Sequence, residues 1–232
     1  DLKKAGISDN LYDTVSYAEL CVEIEEEFKK NKYDLIEKAA EELAKFILTR
    51  YETIKKVDLE IKKPWAPIGK TLDYASVKIE RSWHNAFIAV GSNLGDKKDN
   101  IQKALEHIKK SQDLKLVNIS KFYETKPVGY LEQEDFLNGA LEIETLLTPE
   151  ELIDRLMDIE AALKRERTIK WGPRTMDLDI LFYDNVISYK EKVILPHPRI
   201  QERAFVLQPM CDIAPYYIHP VLNKSMVELL QN

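Results

Sequence analysis

The sequence predicts a two-domain α+β protein, and three observations carry that prediction. Helical apolar spacing over residues 17–28 and 34–51 is followed by two strand patterns of period two. From residue 84 onward, strand and helix patterns follow the order β-α-β-β-α-β. Between the two runs lies only the short polar joint RSWHN, residues 81–85, with no linker rich in Gly, Ser or Pro. The domains are therefore drawn as residues 1–83 and 84–232.

In the first domain Leu20, Cys21, Ile24 and Phe28 mark one helical face, and Leu35, Ala39, Leu43, Phe46 and Ile47 mark the next. Val57, Leu59 and Ile61 alternate with Asp58, Glu60 and Lys62, the pattern of a half-buried strand, and Val77 and Ile79 repeat it. KKPWAPIGK between them reads as a proline-held loop. In the second domain an apolar strand over 86–90 ends in GSNLGD, and a helix follows through Ile101, Ala104, Leu105 and Ile108. Residues 114–123 and 136–144 read as strands around the loop ETKPVGYLEQED. Thr148 is placed to cap a helix that has Pro149 at its first position, Glu150 and Glu151 in its first turn, and an end near Leu163. A last strand alternates Leu178, Ile180 and Phe182 with Asp177 and Asp179. This order is that of a ferredoxin-like α+β sandwich.

Composition narrows the function classes. The chain has 232 residues, 44% hydrophobic and 32% charged, as in an ordinary globular protein. A net charge of −6 with no long basic run argues against nucleic acid as the main partner. No apolar run reaches the roughly 18 residues that span a bilayer. The first ten residues, DLKKAGISDN, are not a signal peptide. Cys21 and Cys211 read as reduced, buried thiols of a cytoplasmic protein, and no Cys/His cluster has zinc spacing.

The chemistry concentrates in WGPRTMDLDI, residues 171–180. The i, i+2 spacing of Asp177 and Asp179 places both carboxylates on one side of a sheet, where oxygen ligands can hold Mg²⁺ against a polyphosphate. Arg165, Arg167, Lys170 and Arg174 precede them, which suits a basic loop closing over phosphates. GSNLGD has no following Lys-Ser/Thr and is no Walker loop; it reads as a tight turn with Gly91 and Gly95 supplying permissive backbone. His197, among prolines and near Arg199 and Arg203, is placed to donate a hydrogen bond to phosphate. Phe136 and Phe205 suit either the core or a flat heterocycle beside Asn138, whose amide reads donor and acceptor pairs.

AFIAVGSNLGD, FYETKPVG followed by DFLNGA, RERTIKWGPRTMDLDILF and ILPHPRIQERAFVLQP occur in that order from about residue 86 to the C-terminus. Together they resemble the 6-hydroxymethyl-7,8-dihydropterin pyrophosphokinases of folate biosynthesis, ATP-dependent enzymes that release AMP. The resemblance implies that Asp177 and Asp179 bind two Mg²⁺ ions and that Arg165 and Arg174 are catalytic. It implies ATP contacts from Glu160, Trp171, Lys192, His197 and Arg203. Pterin contacts fall to Phe136, Phe205, Asn138, Thr125 and Val128.

TVSYAEL, DLIEKAAEELA and KKPWAPI resemble dihydroneopterin aldolase over about residues 1–80. That resemblance implies a partial tunnelling-fold domain, an oligomer of identical subunits, Lys63 as general acid/base, Tyr17 in proton transfer, Glu37 on the pterin and no cofactor. The aldolase pattern normally begins with two further strands bearing a catalytic glutamate. The expected explanation is a longer natural chain, with a remnant domain that serves only to assemble a monofunctional pyrophosphokinase as the alternative. A pterin- or nucleotide-binding regulator is disfavoured by the intact set Arg165, Arg174, Asp177 and Asp179.

Overall fold

A computed structural model describes residues 2–129, 132–163 and 172–231. The chain divides into two compact units, Asp1–Trp83 and His84–Asn232. The first unit holds α1 (Lys3–Ser8), α2 (Tyr17–Lys30), α3 (Ile36–Arg50), β1 (Lys56–Lys63) and β2 (Ala75–Ser82). β1 and β2 form an antiparallel two-stranded sheet with Leu59 opposite Ile79. α3 packs on it through Ala39, Ala40, Leu43, Ala44, Ile47 and Leu48, all buried. The Trp83 indole N–H donates to the Leu48 carbonyl at 3.1 Å and closes this small core. α2 starts at a Ser16 cap but buries none of its residues. Cys21 on it is exposed and Cys211 half-buried, so neither is the fully buried thiol expected. The apolar stripe of α2 is real, but little is packed over it.

The second unit contains β3 (His84–Ser92), α4 (Lys97–Lys110), β4 (Leu114–Ile119), β5 (Tyr123–Thr125), β6 (Phe136–Thr145), α5 (Pro149–Ala162), β7 (Asp177–Tyr183), β8 (Ser188–Lys190), β9 (Val193–Leu195), α6 (Ala204–Ile213) and α7 (Met226–Leu230). Its main sheet is antiparallel in the order β4-β6-β3-β7, with β5 also pairing to β6. One face packs on α4 and α5, through Ile101, Leu105 and Ile108 and through Leu152, Leu156 and Ile159. Ile88, Leu141 and Ile143 are fully buried at the middle of that layer, each contributing roughly 1.5–3 kcal/mol through apolar burial. α5 begins as expected: the Thr148 hydroxyl and the Glu151 side chain form a reciprocal capping box with Pro149 at the first helical position.

Two strands depart from the expected pattern. Residues 114–123 do not make one strand. Val117 bulges out of the ladder, and β4 ends at Ile119. Phe122 then lays its ring over Gly139, so close that a β-carbon there would sit 2.6 Å from it. In β7, Phe87 pairs with Phe182 but Ile88 pairs with Ile180, leaving Leu181 as an extra residue. The bulge turns Phe182 over. Leu178 and Ile180 face α4 and α5, whereas Leu181 and Phe182 pack with Phe87, Val206, Met210 and Met226 under α6 and α7. The expected alternation therefore holds only through Ile180. The displaced Leu181 carbonyl accepts the His197 N–H at 3.0 Å and anchors that segment.

Candidate active site

α6 and α7 cover only part of the sheet's second face. Beside them lies a cleft of about 420 Å³, lined by residues that include Phe136, Asn138, Asp177, Asp179, His197 and Phe205. Strand alternation puts them there: Leu137, Leu178 and Ile180 turn into the core, so their neighbours turn outward. Gly91 of β3 sits between Asn138 on one side and Asp177 on the other. A β-carbon on Gly91 would lie 2.6 Å from Asn138 Oδ1 and 3.9 Å from the Phe136 ring. Gly91 is therefore a strand residue kept bare for the side chains that fold across it, not part of the expected turn. Gly95, at φ 65°, does supply one. Asn138 is held by donation of its Nδ2 to Thr125 Oγ1 at 2.7 Å. Thr125 and Val128 also line the cleft.

Arg174 reaches the same cleft from the segment before β7. Its guanidinium donates to Asp177 Oδ2 at 2.7 Å and lies 5.8 Å from the centre of the Phe136 ring. Both partners of the ion pair are largely covered, with 19% and 23% of their side chains exposed. GSNLGD holds this segment in place. Asn93, fully buried, accepts the Arg174 N–H at 2.8 Å and donates its own N–H to the Arg174 carbonyl at 3.1 Å. Its Nδ2 donates to Gln133 Oε1 and the Glu134 carbonyl, at 2.9 and 3.0 Å. Ser92 Oγ donates to the Thr175 carbonyl at 2.6 Å. Neither role is visible in a single sequence, because the partners lie more than 80 residues away.

The third side is cationic. Arg199 and Arg203 line the cleft with His197, and the Arg203 guanidinium lies 5.6 Å from the Phe205 ring centre. Burial, then the charges of Arg203 and Arg199, lower the His197 pKa to about 4. The imidazole is thus neutral near pH 7. Its Nδ1 accepts the Arg199 N–H at 3.3 Å, which leaves the proton on Nε2 as a donor. Burial, then Arg199, also push Arg203 below its ordinary value, whereas Asp179 and Asp177 pull it up. Lys126, Gly129, Arg199 and Glu202 complete the lining without having been singled out as site residues. The dense His-Pro-Arg-x-x-Glu-Arg run was the available signal for the last two.

Glu160 and Lys192, expected on the ATP side, are not among the lining residues. Glu160 is buried behind β7, where its carboxylate accepts the Leu178 N–H at 2.7 Å. Lys192 pairs with Asp154 at 2.7 Å on the surface. Arg165 and Trp171 fall outside the described residues. In the first unit Tyr17 starts α2, Glu37 is in the first turn of α3 and Lys63 ends β1. All three are exposed.

A family model described as 7,8-dihydro-6-hydroxymethylpterin-pyrophosphokinase matches residues 87–215, and one described as dihydroneopterin aldolase matches residues 1–80. The Bacillus subtilis 2-amino-4-hydroxy-6-hydroxymethyldihydropteridine pyrophosphokinase is 44% identical over 55% of this chain and 77% of that protein. The Dictyostelium discoideum folic acid synthesis protein is 34% identical over 96% of this chain, which spans 38% of that protein's length. A crystal structure of wild-type Plasmodium falciparum HPPK-DHPS with pterin and p-hydroxybenzoate superposes with a TM-score of 0.52. That alignment, at 17% identity, covers 65% of this chain and 43% of the other and shows a shared fold. The chain belongs to the 7,8-dihydro-6-hydroxymethylpterin-pyrophosphokinase family, and the region ahead of that domain matches the dihydroneopterin aldolase model.

Proposed function

We propose that the second unit transfers the β,γ-diphosphate of ATP to the hydroxymethyl oxygen of 6-hydroxymethyl-7,8-dihydropterin. The observation that carries this reading is one cleft with two chemically distinct halves. Phe136, Phe205, Asn138 and Thr125 offer flat apolar surface and amide recognition. Asp177, Asp179, Arg174, His197 and Arg203 offer paired carboxylates beside cations and a neutral donor. The strand order and the packing of α4 and α5 on one sheet face support a ferredoxin-like sandwich, to which α6 and α7 add a layer on the other face.

The substrate hydroxyl attacks the β-phosphorus, the bond to the α,β-bridging oxygen breaks, AMP leaves with that oxygen, and the hydroxyl proton passes to solvent. Asp177 and Asp179 form an all-oxygen donor pair that fits Mg²⁺. No group of three or more His, Cys, Asp or Glu that could hold a metal ion occurs among the described residues, so phosphate oxygens and water would complete each shell. Two Mg²⁺ ions, when bound, neutralise polyphosphate charge and orient the phosphates. Arg174 exchanges its bond to Asp177 for phosphate oxygens, and His197 Nε2–H and Arg203 hold the nucleotide. Phe136 and Phe205 fix the pterin plane, with Asn138 and the backbone near Thr125 and Val128 reading its edge. Catalysis here is positioning plus charge stabilisation. Arg165 and Trp171 would add to the nucleotide side, and Glu160 acts through β7.

The test is AMP formation from ATP and the hydroxymethylpterin. Asp177→Asn should lower it by more than about 100-fold; an undiminished rate would refute the metal assignment.

The first unit is proposed to be part of a cofactor-independent, tunnelling-fold aldolase that cleaves dihydroneopterin to the hydroxymethylpterin and glycolaldehyde. Its matched span carries that reading. It is also proposed to assemble with identical copies. A two-stranded sheet is marginal alone, and α2 buries none of its residues within the unit. A second reading, assembly without catalysis, draws on the exposure of Tyr17, Glu37 and Lys63. Glycolaldehyde release from dihydroneopterin by the protein separates the two. Loss on Lys63→Ala supports the aldolase, and no release from the unaltered protein supports assembly alone.

A further inference from the structure

β5 carries one wall of the cleft, yet it has three residues and, among the described residues, pairs in the sheet with β6 alone. Its ladder sets Tyr123 opposite Asn138 and Thr125 opposite Phe136. A short strand with one neighbour is prone to local opening. The other support comes from α6. Tyr123 Oη donates to both oxygens of Asp212, at 2.9 and 3.1 Å, and the Lys121 N–H donates to Asp212 Oδ2 at 3.1 Å. Asp212 lies near the C-terminal end of α6, whose first turn sends Phe205 into the cleft. The helix rise separates these two residues by about 10 Å along its axis.

We infer that Asp212 is a positioning residue that sets the pterin half of the cleft by fastening β5 to α6. One rigid helix thereby carries a stacking ring at its start and, at its end, holds the strand that leads to Thr125. The chain of contacts runs from Asp212 to Tyr123, along β5 to Thr125, and through Thr125 Oγ1 to Asn138. Neither Tyr123 nor Asp212 lines the cleft, so both act through Thr125 and Asn138. The bonds are charge-assisted and stronger than neutral ones. The hydrogen bond to Asp212 also raises the Tyr123 phenol pKa, as expected for a phenol that donates to a carboxylate. In the phosphate half Asp177 and Asp179 sit on β7, Arg174 is held by Asn93, and Arg203 caps the end of α6 away from Asp212, so none of them depends on β5.

The inference rests on the diphosphate-transfer reading, and the experiment separates the two. In Asp212→Ala, the KM for 6-hydroxymethyl-7,8-dihydropterin should rise about tenfold, as for one lost charge-assisted hydrogen bond. The KM for ATP should stay within about twofold, because that half is held by other elements. Tyr123→Phe should shift the pterin KM the same way, and the double variant should fall short of the product of the two effects. Asp212→Asn, which keeps an acceptor oxygen, should restore most of the loss. Unchanged KM values, or equal rises for both substrates, would overturn the inference. Amide hydrogen exchange gives a readout independent of turnover. In Asp212→Ala, residues 123–125 should lose protection while β3 keeps it; unchanged protection at β5 overturns the inference even if the unaltered protein makes no AMP.

Discussion

Replacing Gly91 with alanine should leave the fold standing and spoil pterin binding. The added β-carbon meets Asn138 Oδ1 at 2.6 Å, with Asn138 Cγ and Phe136 Cδ1 at the ordinary separations of 3.7 and 3.9 Å. The atom in the way is the end of a side chain, so the backbone need not move. Asn138 must swing aside and release Thr125 Oγ1, now at 2.7 Å. Losing that bond costs about 1 kcal/mol of stability. The binding loss is larger, because Asn138 also forfeits one or two hydrogen bonds to the heterocycle, roughly 1–3 kcal/mol in all. That converts to a rise of about 5- to 150-fold in the pterin KM, measured as AMP release at saturating ATP. Asn138→Ala alone should give a similar rise. Adding Gly91→Ala to it should then do almost nothing, since the clash is gone. Two effects that multiply, or a Gly91→Ala protein with an unaltered pterin KM, would refute the steric argument.

Other consequences can be checked in the same way. His197 has a pKa of about 4 in the folded chain against an ordinary 6.5. Between those values the unfolded chain binds more protons, so stability should fall as pH drops through this window. His197→Gln should flatten that part of the melting-temperature profile, and identical profiles would contradict the burial assignment. Glu160→Ala leaves the Leu178 N–H without its carboxylate and should cost about 1–3 kcal/mol in chemical denaturation. Glu160→Gln, which can still accept that bond, should cost clearly less; equal losses would mean that the charge matters more than the bond. Arg174→Lys removes the fork that reaches Asp177 and should lower kcat more than it raises either KM. A purely KM effect would make Arg174 a binding residue only.

Features governed by local chemistry were legible in the linear chain. Thr148-Pro149-Glu150-Glu151 specifies a helix start because capping involves groups three residues apart. Asp177 and Asp179 share a face because strand side chains alternate, whatever the rest of the molecule does. The order of α2, α3, β1 and β2 and of β3, α4, β4, β6, α5 and β7 followed from the same periodicities, whereas α1, β5, β8, β9, α6 and α7 did not. Legibility ended where partners are far apart in sequence. The bulge at Leu181, which turns Phe182 under α6, depends on the register against Phe87 and Ile88. No alternation within β7 encodes it. The contact of Glu160 with the β7 backbone was equally out of reach, because it forms only when the end of α5 comes to rest behind that strand.

By itself the sequence determined which chemistry-bearing residues are present and which of them share a strand or a turn. Side-chain type and backbone period are properties of the local chain. The tertiary structure alone decided that Gly91 lies bare between Asn138 and Asp177, that Asn93 holds Arg174, and that Asp212 fastens β5. Each is a contact across roughly 40 to 90 residues. Such contacts form only when the sheet and its helices pack together, since the entropy of closing long loops is offset by the burial they make possible.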